Sequence, residues 1–271
     1  MLSRVVVSHL NKTISCNVLN VESTLWKSIM NDSQEESPTI GQETMVQNWK
    51  RACTDFVQQK PCTSSIVGLC ILAFMVETLA WKSSVEMGGL SAGLVVQKFQ
   101  VWRVVTYCIL HANIAHLVLN MIALLQLGFT MEARMGPIGF LKANVLVNLV
   151  GASLYCFLCY ALDFSISQSS FINTIVIGYS GVLFGLVSVE SIRAGISNAA
   201  KVNLYGVVHV PKWAVPWCLV VLMYLLVPGS SILGHISGIL GGYIFRAVFF
   251  TRDDDFVDED WVLGQYVSLP Q

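Results

Sequence analysis

The feature that most constrains this chain is a series of six apolar segments, each close to the length of a membrane-spanning helix. They are residues Ser64–Trp81, Ala112–Met131, Ala143–Leu162, Thr174–Ser191, Trp213–Val227 and Ile232–Phe250. A hydrocarbon core about 30 Å thick is crossed by about 20 helical residues. Because an open sheet leaves backbone groups without partners in lipid, these segments are expected to be helices. The sequence therefore predicts an all-α polytopic membrane protein, a bundle of six transmembrane helices.

The composition excludes most other classes of protein. Hydrophobic residues make up 54% of the 271 residues and charged residues only 12%, and the mean hydropathy is +0.63. Soluble domains carry roughly twice that charged fraction, so the composition argues against an ordinary soluble enzyme and against a disordered chain. The formal net charge of −1 provides no basic field for nucleic acid. We therefore expect the lipid bilayer, and no nucleic acid, among the partners.

The polar parts of the chain divide it into three regions. Residues 1–60 form a polar N-terminal region that includes the loop-like run NDSQEESPTIGQE. Residues 61–251 contain the six spans, and residues 252–271 form an acidic tail that includes DDDFVDEDW. Five of the eight cysteines lie in apolar stretches, where cysteine behaves as a small hydrophobe. The cysteines therefore do not indicate the disulfide framework of a small secreted domain.

Basic residues indicate which ends of the spans face the cytosol. The links after the third and fifth spans contain no Lys or Arg. The basic residues in the links after the second and fourth spans are Arg134, Lys142, Arg193, Lys201 and Lys212. Cytosolic loops carry an excess of Lys and Arg. With six spans, both termini are then expected to face the cytosol.

The fourth span opens with a serine between glycines, in the sequence Gly178-Tyr179-Ser180-Gly181. Polar side chains within a membrane are costly, so each is a candidate functional residue. A serine at a helix start can present its hydroxyl beside free backbone N–H groups that stabilise a developing anion. An acyl-transfer nucleophile needs this arrangement. The alternative is a packing seam of small residues formed by Gly178, Gly181 and Gly185.

The sixth span begins with His235 beside a stripe of glycines at spacing four, Gly234, Gly238 and Gly242. If this stripe packs against the fourth span, His235 comes beside Ser180. A neutral imidazole could there accept the serine proton and later return it to a leaving amine. No Asp or Glu is placed to orient the imidazole, which favours a Ser–His dyad over a triad. The alternative is a buried histidine that hydrogen-bonds a backbone carbonyl.

The second span carries His116 and Asn120 at i and i+4, on one face of the predicted helix. Two neutral donors on one face suit an oxyanion hole, and the alternative is a hydrogen-bonded pair that joins neighbouring helices. A metal site is a third interpretation, based on His111 and His116. The spacing of these histidines is not HExxH and no carboxylate lies nearby, so we expect no metal and no other cofactor.

Five motifs, in this order and on these spans, resemble the rhomboid family of intramembrane serine proteases. They are Trp102-Arg103, the spacing His111-His116-Asn120, the run Glu132-Ala-Arg134-Met-Gly136, the run Gly178-Tyr-Ser180-Gly181, and His235 followed by Gly238 and Gly242. The resemblance covers most of residues 100–245. Each motif is short, and the resemblance depends on their order and on their placement on the second, fourth and sixth spans.

The resemblance implies a six-helix bundle whose water-filled cavity opens to the non-cytosolic side. Ser180 would be the nucleophile, His235 the general base and then acid, and His116 and Asn120 the oxyanion donors together with the backbone N–H of Ser180. The residues expected to give structural support are Trp102, Arg103, Glu132, Arg134, Gly178, Gly181, Gly238 and Gly242. Glu132 and Arg134 would tie down the loop between the first two spans. Substrates would be membrane proteins cut in or beside a transmembrane segment that unwinds.

The chain departs from the family pattern at two points. Gly234 stands where the family usually has Ala, and the chain has no seventh span, so the basic six-span form fits it best. The stretch from Pro228 to His235 looks most like rhomboids of the endoplasmic reticulum type. For a eukaryotic source this predicts the endoplasmic reticulum or secretory pathway, with the mitochondrial inner membrane as the weaker alternative.

Two other functions are compatible with a polytopic fold. The first is an inactive relative that binds transmembrane clients for trafficking or degradation, which would keep the fold and lose the dyad. This chain retains both Ser180 and His235. The second is a small transporter with a proton-relay histidine, which predicts an internal repeat. No such repeat is visible between residues 64–162 and 174–250, so the sequence favours the serine endopeptidase.

Overall fold

The structure of the protein is a computed structural model. It describes residues 47, 50, 54, 57–79, 84–166, 170–193, 201–204, 208–227 and 229–249. Nearly all of the predicted N-terminal region 1–60, and the whole acidic tail 252–271, lie outside the described residues. The division of the chain at residues 60 and 251 therefore stays a prediction.

The described part of the chain is mostly helical. The elements in chain order are α1 (Pro61–Leu79), α2 (Ser84–Gly88), α3 (Ala92–Gln97), α4 (Arg103–Thr106), a 3-10 turn (Tyr107–Ile109), α5 (Ile114–Ile166), α6 (Ser170–Asn173), α7 (Ser180–Arg193), β1 (Lys201–Leu204), β2 (Val208–Pro211), a second 3-10 turn (Lys212–Ala214), α8 (Val215–Leu226) and α9 (Ile232–Phe249). Within the described residues, α1, α5 and α9 are long and apolar enough to cross a membrane, and α7 and α8 are shorter apolar helices. The predicted all-α polytopic membrane fold is confirmed.

The 53-residue helix α5 contains the second and third predicted spans. It is interrupted at Gly136, whose φ of 70° and ψ of 165° are not helical, and Pro137 follows at once. Proline lacks the N–H that a continuous helix needs and clashes with the preceding turn. The chain therefore forms two helices across a kink, α5a (114–135) and α5b (137–166), and the six predicted segments each correspond to a helix.

Helix α7, which corresponds to the fourth predicted span, begins at Ser180 and not at Thr174 as the sequence predicted. Val176 forms an antiparallel bridge with Leu90 in the loop between the first two spans. Gly178 has a φ of +115°, a backbone conformation that interrupts any helix and strongly favours glycine. The extended segment in front of Ser180 is therefore held by the loop, and only Ser180–Arg193 is helical.

A two-stranded antiparallel hairpin lies in the link between α7 and α8. Lys201 is opposite Pro211 and Leu204 is opposite Val208. Helices were expected throughout, and no sequence pattern indicated these two strands. The two strands lie in a link between apolar helices. The need to satisfy all backbone hydrogen bonds within a helix, which holds for segments in lipid, does not apply to such a link.

Glycines bring α9 into backbone contact with two other helices. A Cβ atom at Gly238 would overlap the carbonyl oxygen of Gly181, and one at Gly242 would overlap that of Gly185. On its other side, a Cβ at Gly241 would lie 2.9 Å from the backbone nitrogen of Gly151 in α5b. Because these three positions of α9 carry no side chain, its backbone can contact the backbones of α7 and α5b directly.

Glu132 holds the beginning of α1. Its carboxylate accepts hydrogen bonds from the backbone N–H of Cys62 (2.8 Å), the backbone N–H of Thr63 (2.8 Å) and the hydroxyl of Thr63 (2.6 Å). These N–H groups belong to the first turn of the helix, where they have no partner inside the helix and where a negative charge is favourable. Glu132 is thus a cap supplied to α1 by α5a.

Arg134 forms a two-pronged ion pair with Glu190 near the end of α7, with N–O distances of 3.0 and 2.6 Å. Together with Glu132, it joins α5a to α1 and α7. The expectation that Glu132 and Arg134 tie down the loop between the first two spans is therefore wrong. The sequence motif identifies Glu132 and Arg134 but does not show which helices lie next to them.

The loop between the first two spans is held by Trp102 and Arg103 instead. The indole N–H of Trp102 donates to the carbonyl of Met87 (3.1 Å). The guanidinium of Arg103, which is 4% exposed, donates to the carbonyl oxygens of Glu86 and Gly89 at 2.7 and 2.6 Å. These bonds fold the loop over α2.

The glycine seam predicts a steric effect on stability. Gly238→Ala should lower the free energy of unfolding by about 3 kcal/mol, because the added methyl meets backbone that cannot rotate away. The matched control is Gly68→Ala in α1, where a Cβ has no heavy atom within 4 Å. Thermal unfolding in detergent measures both variants. Equal melting of Gly238→Ala and the wild type would contradict backbone contact between α7 and α9.

The cap on α1 predicts a second effect on stability. Glu132→Gln replaces one carboxylate oxygen by an NH2 group that cannot accept a hydrogen bond, so the free energy of unfolding should fall by about 2 kcal/mol. Glu86→Gln, at an exposed side chain, is the control. We expect the melting temperature to fall only for Glu132→Gln. Unchanged melting combined with a loss of activity would show that Glu132 serves chemistry instead of structure.

Candidate active site

Ser180 lies at the point where extended chain turns into helix α7. The backbone N–H of Gly178 donates to the carbonyl of Tyr107 (2.9 Å), and the first hydrogen bond of the helix runs from Leu183 to the carbonyl of Tyr179 (3.1 Å). The N–H groups in the first turn, from Ser180 onward, consequently have no partner within the helix. Ser180 thus combines a hydroxyl with backbone donors that can stabilise a negative charge.

Gly178 is required by two independent features of this turn. Its φ of +115° is rarely adopted by residues with a side chain. A Cβ at this position would also lie 2.6 Å from Cε1 and 2.8 Å from Nε2 of His116. The ring of His116 therefore packs directly on the backbone two residues before Ser180.

His235 lies in the first turn of α9 and faces Ser180. The hydroxyl oxygen of Ser231 accepts from the N–H of Gly234 (3.1 Å), which is the usual cap at a helix N-terminus. His235 is 4% exposed, and its Nε2 lies 3.1 Å from Oγ of Ser180. This is hydrogen-bond distance for a nucleophile and its general base. The structure brings together the two residues that the sequence singled out on different spans.

The imidazole of His235 is oriented by an aromatic ring. Phe184, one turn after Ser180, stacks on it with 4.3 Å between ring centroids and 30° between planes. Nδ1 of His235 is buried, and within the described residues it has no hydrogen-bond partner. The carboxylate of Glu190 is bound to Arg134. Among the residues that the structure describes, the arrangement is a Ser–His pair with no carboxylate bonded to the imidazole.

The hydrogen bonds of His116 indicate which of its ring nitrogens carries a proton. Asn113 caps the helix by accepting from the N–H of His116 (2.9 Å), and Nδ1 of His116 accepts from the N–H of Ala112 (3.4 Å). An accepting Nδ1 in a neutral ring leaves the proton on Nε2. Nε2 is also the atom packed beside Gly178. His116 therefore presents an N–H donor at the turn that carries Ser180.

Asn120 follows His116 by one turn and is 5% exposed. Its side-chain amide donates to the carbonyl of His116 (2.8 Å), so this hydrogen bond lies within α5a. It does not join two helices, as the packing alternative would require. The second N–H of the same amide is the group that an oxyanion role would use.

The sequence assigned no role to several residues that the structure places around the site. They are Phe184, which stacks on His235; Tyr179, whose hydroxyl donates to the side chain of Asn144; and Asn148, whose amide donates to the carbonyl of Val104. The two asparagines lie in the third apolar segment, where polar residues are costly. Polar residues within a membrane span are candidate functional residues, and this criterion, which identified the histidines, would also have identified the two asparagines.

The interpretation of the histidines as metal ligands receives no geometric support from the described residues, which contain no cluster of three or more His, Cys, Asp or Glu side chains able to hold an ion. Nδ1 of His111 lies 3.2 Å from the carbonyl oxygen of Ile109. Cys156 and Cys159, which are also potential metal ligands by residue type, are buried in the hydrophobic core.

Comparisons with known proteins agree with this architecture. A family model described as the rhomboid domain matches residues 98–252. Rhomboid-like protein 15 of Arabidopsis thaliana is 28% identical over 190 residues, which cover 69% of this chain and 46% of that protein. Rhomboid-like protein 14, mitochondrial, of the same plant is 33% identical over 138 residues, which cover 50% of this chain and 39% of that protein.

A fungal relative matches over a larger share of its own length. Rhomboid-type serine protease 2 of Gibberella zeae is 27% identical over 192 residues, which cover 70% of this chain and 68% of that protein. The chain spans less than half the length of the two plant relatives. The matched family domain contains α4 to α9, and with them Ser180, His235, His116 and Asn120. The chain belongs to the rhomboid family.

Proposed function

We propose that this chain is an intramembrane serine endopeptidase that cuts membrane-protein substrates with a Ser180–His235 dyad. The observation that carries the proposal is the 3.1 Å distance between Nε2 of His235 and Oγ of Ser180. The name of the Gibberella zeae relative, a rhomboid-type serine protease, supports the same activity.

The dyad performs acyl transfer in two steps. His235 Nε2 takes the hydroxyl proton as Oγ of Ser180 attacks the scissile carbonyl, and the same nitrogen returns that proton to the leaving amine. The second step repeats the cycle with water, which releases the acid product and restores the serine. Stacking on Phe184 keeps the imidazole plane in place through both transfers.

The tetrahedral intermediate carries a negative charge that needs donors close to Ser180. The free N–H groups at the start of α7 supply some of them, and the Nε2–H of His116 and the amide of Asn120 supply the rest. All of these donors are neutral. They stabilise charge that develops only in the reaction, and none of them forms an ion pair with His235 in the resting site.

The short helix α7 supports chemistry inside the membrane. Its 14 residues span about 21 Å at 1.5 Å per residue, less than a hydrocarbon core of about 30 Å. The segment in front of Ser180 is not helical, and its backbone is hydrogen-bonded to the loop between the first two spans. A substrate that reaches Ser180 must expose an extended peptide bond, so we propose transmembrane segments that unwind locally as substrates.

The proposal is tested by cleavage in reconstituted liposomes. The purified chain is mixed with single-span reporters whose transmembrane segment contains either a central Gly-Gly pair or only leucines. We expect cleavage of the glycine-containing reporter, because glycine weakens the helix that must open. Ser180→Ala and His235→Ala should each abolish cleavage while melting as the wild type does. Binding of reporters by the folded wild type without any cleavage would favour an inactive, client-binding relative.

The oxyanion role predicts a graded loss of rate. Asn120→Ala removes one donor and should lower the cleavage rate by about 10- to 1000-fold. Asn120→Asp has a similar size, and its negative charge should lower the rate further. Both variants should keep a melting temperature close to that of the wild type. Unfolding of Asn120→Ala would instead show that Asn120 is needed for helix α5a.

The basic residues after the second and fourth spans support a topology with both termini in the cytosol, and we propose the endoplasmic reticulum or secretory pathway as the location. Protease added to intact microsomes should remove epitope tags from both ends of the chain. The sequons at Asn11 and Asn31 should remain unglycosylated. Protected tags or a glycosylated N-terminal region would contradict this topology.

A further inference from the structure

The residue before the proposed nucleophile makes a buried hydrogen bond across the bundle. The hydroxyl of Tyr179 donates to Oδ1 of Asn144 at 2.6 Å. Tyr179 is 3% exposed and Asn144 is 4% exposed. The bond joins the turn in front of α7 to helix α5b, 35 residues apart in the chain. Leaving either group without its partner in this interior would be costly.

The acceptor in this bond is itself held in place. The side-chain N–H of Asn144 donates to the carbonyl of Phe140 (2.7 Å), one turn earlier in α5b, so its oxygen is free to accept from Tyr179. Asn148, one turn later, donates to the carbonyl of Val104 (2.9 Å). One face of α5b therefore binds both the turn that carries Ser180 and the loop between the first two spans.

Because Tyr179 immediately precedes Ser180, its hydrogen bond affects the position of the proposed nucleophile. Its carbonyl accepts the first hydrogen bond of α7, and Ser180 is the next residue. Within the described residues no group bonds Nδ1 of His235, so no carboxylate moves the imidazole toward the serine. The distance between Oγ and Nε2 therefore depends on where the turn and the two helices hold these residues. A displacement of about 1 Å between reacting groups can cost on the order of 100-fold in rate.

We propose that the Tyr179–Asn144 hydrogen bond positions Ser180 for attack, which makes Tyr179 and Asn144 positioning residues of the dyad. The inference rests on the proposed function. It differs from a purely structural role, in which the bond would only help the bundle to stay folded. A structural role changes how many molecules are active, whereas a positioning role changes how fast each active molecule reacts.

A fluorophosphonate probe separates these two roles, because it reacts with an activated serine and needs no known substrate. The wild type and Tyr179→Phe are labelled over a range of probe concentrations, and three quantities are measured: the maximal rate of labelling, the probe concentration giving half that rate, and the final labelled fraction. We expect Tyr179→Phe to lower the maximal rate by about 10-fold. The half-saturating concentration and the labelled fraction should not change.

Tyr243→Phe is the matched control. Its hydroxyl accepts from the indole N–H of Trp217 (3.0 Å) and contacts the carbonyl of Trp213 (3.3 Å), so the substitution also removes a tyrosine hydrogen bond. Tyr243 lies eight residues after His235 on α9, about 12 Å along the helix. We expect Tyr243→Phe to be labelled at the wild-type maximal rate even if it melts at a lower temperature.

A double variant separates stability from positioning. Tyr179→Phe combined with Asn144→Leu removes both polar partners, so no buried group is left without a hydrogen bond and the melting temperature should recover relative to Tyr179→Phe. The maximal labelling rate should stay low, because the link between the turn and α5b is still missing. Recovery of the rate together with the melting temperature would overturn the positioning role.

The outcomes also distinguish this inference from the proposed function. A folded wild type that is not labelled contradicts the serine protease, and the positioning role falls with it. A labelled wild type and a Tyr179→Phe variant with the same maximal rate overturn the positioning role alone. A smaller labelled fraction at an unchanged rate also overturns it, in favour of a structural bond.

Discussion

Helices α7 and α9 are in direct backbone contact, and this contact determines where Ser180 and His235 lie relative to each other. Gly181 and Gly185 of α7 meet Gly238 and Gly242 of α9 so closely that a Cβ atom on α9 would overlap a carbonyl oxygen of α7. Two helices without side chains at their contact can approach in a way that leucine-lined helices cannot. This approach places the first turns of both helices side by side, and Ser180 and His235 lie in those turns. In this bundle, packing and the proposed catalysis use the same glycines.

The chain in front of Ser180 is not helical, so its polar groups need hydrogen-bond partners outside a helix. Backbone that is neither helical nor in a closed sheet is tolerated at membrane depth only where protein or water satisfies it. Here Val176 pairs with Leu90, Gly178 donates to Tyr107, and Tyr179 bonds Asn144. The loop between the first two spans, folded by Arg103, thus provides hydrogen-bond partners to the turn that carries the proposed nucleophile.

The order of the six apolar helices could be predicted from the sequence because lipid requires long apolar segments, and each segment is visible in the amino-acid sequence. The pairing of Ser180 with His235 was predictable because glycines at spacing four indicate which helices approach closely. The partners of Glu132 and Arg134 were not predictable, since short motifs do not show which helix lies opposite a side chain. The late start of α7 and the paired strands β1 and β2 were missed for a similar reason. Both depend on contacts between distant or extended segments and have no helical periodicity.

Activation of Ser180 by His235 can be tested by finding the residue to which a covalent serine probe attaches. Detergent-purified wild type, Ser180→Ala and His235→Ala are treated with a fluorophosphonate, and the adduct is located by peptide mass spectrometry. We expect an adduct on Ser180 in the wild type and none in either variant. A folded wild type without an adduct on Ser180, or an adduct that persists on Ser180 in His235→Ala, would contradict the dyad.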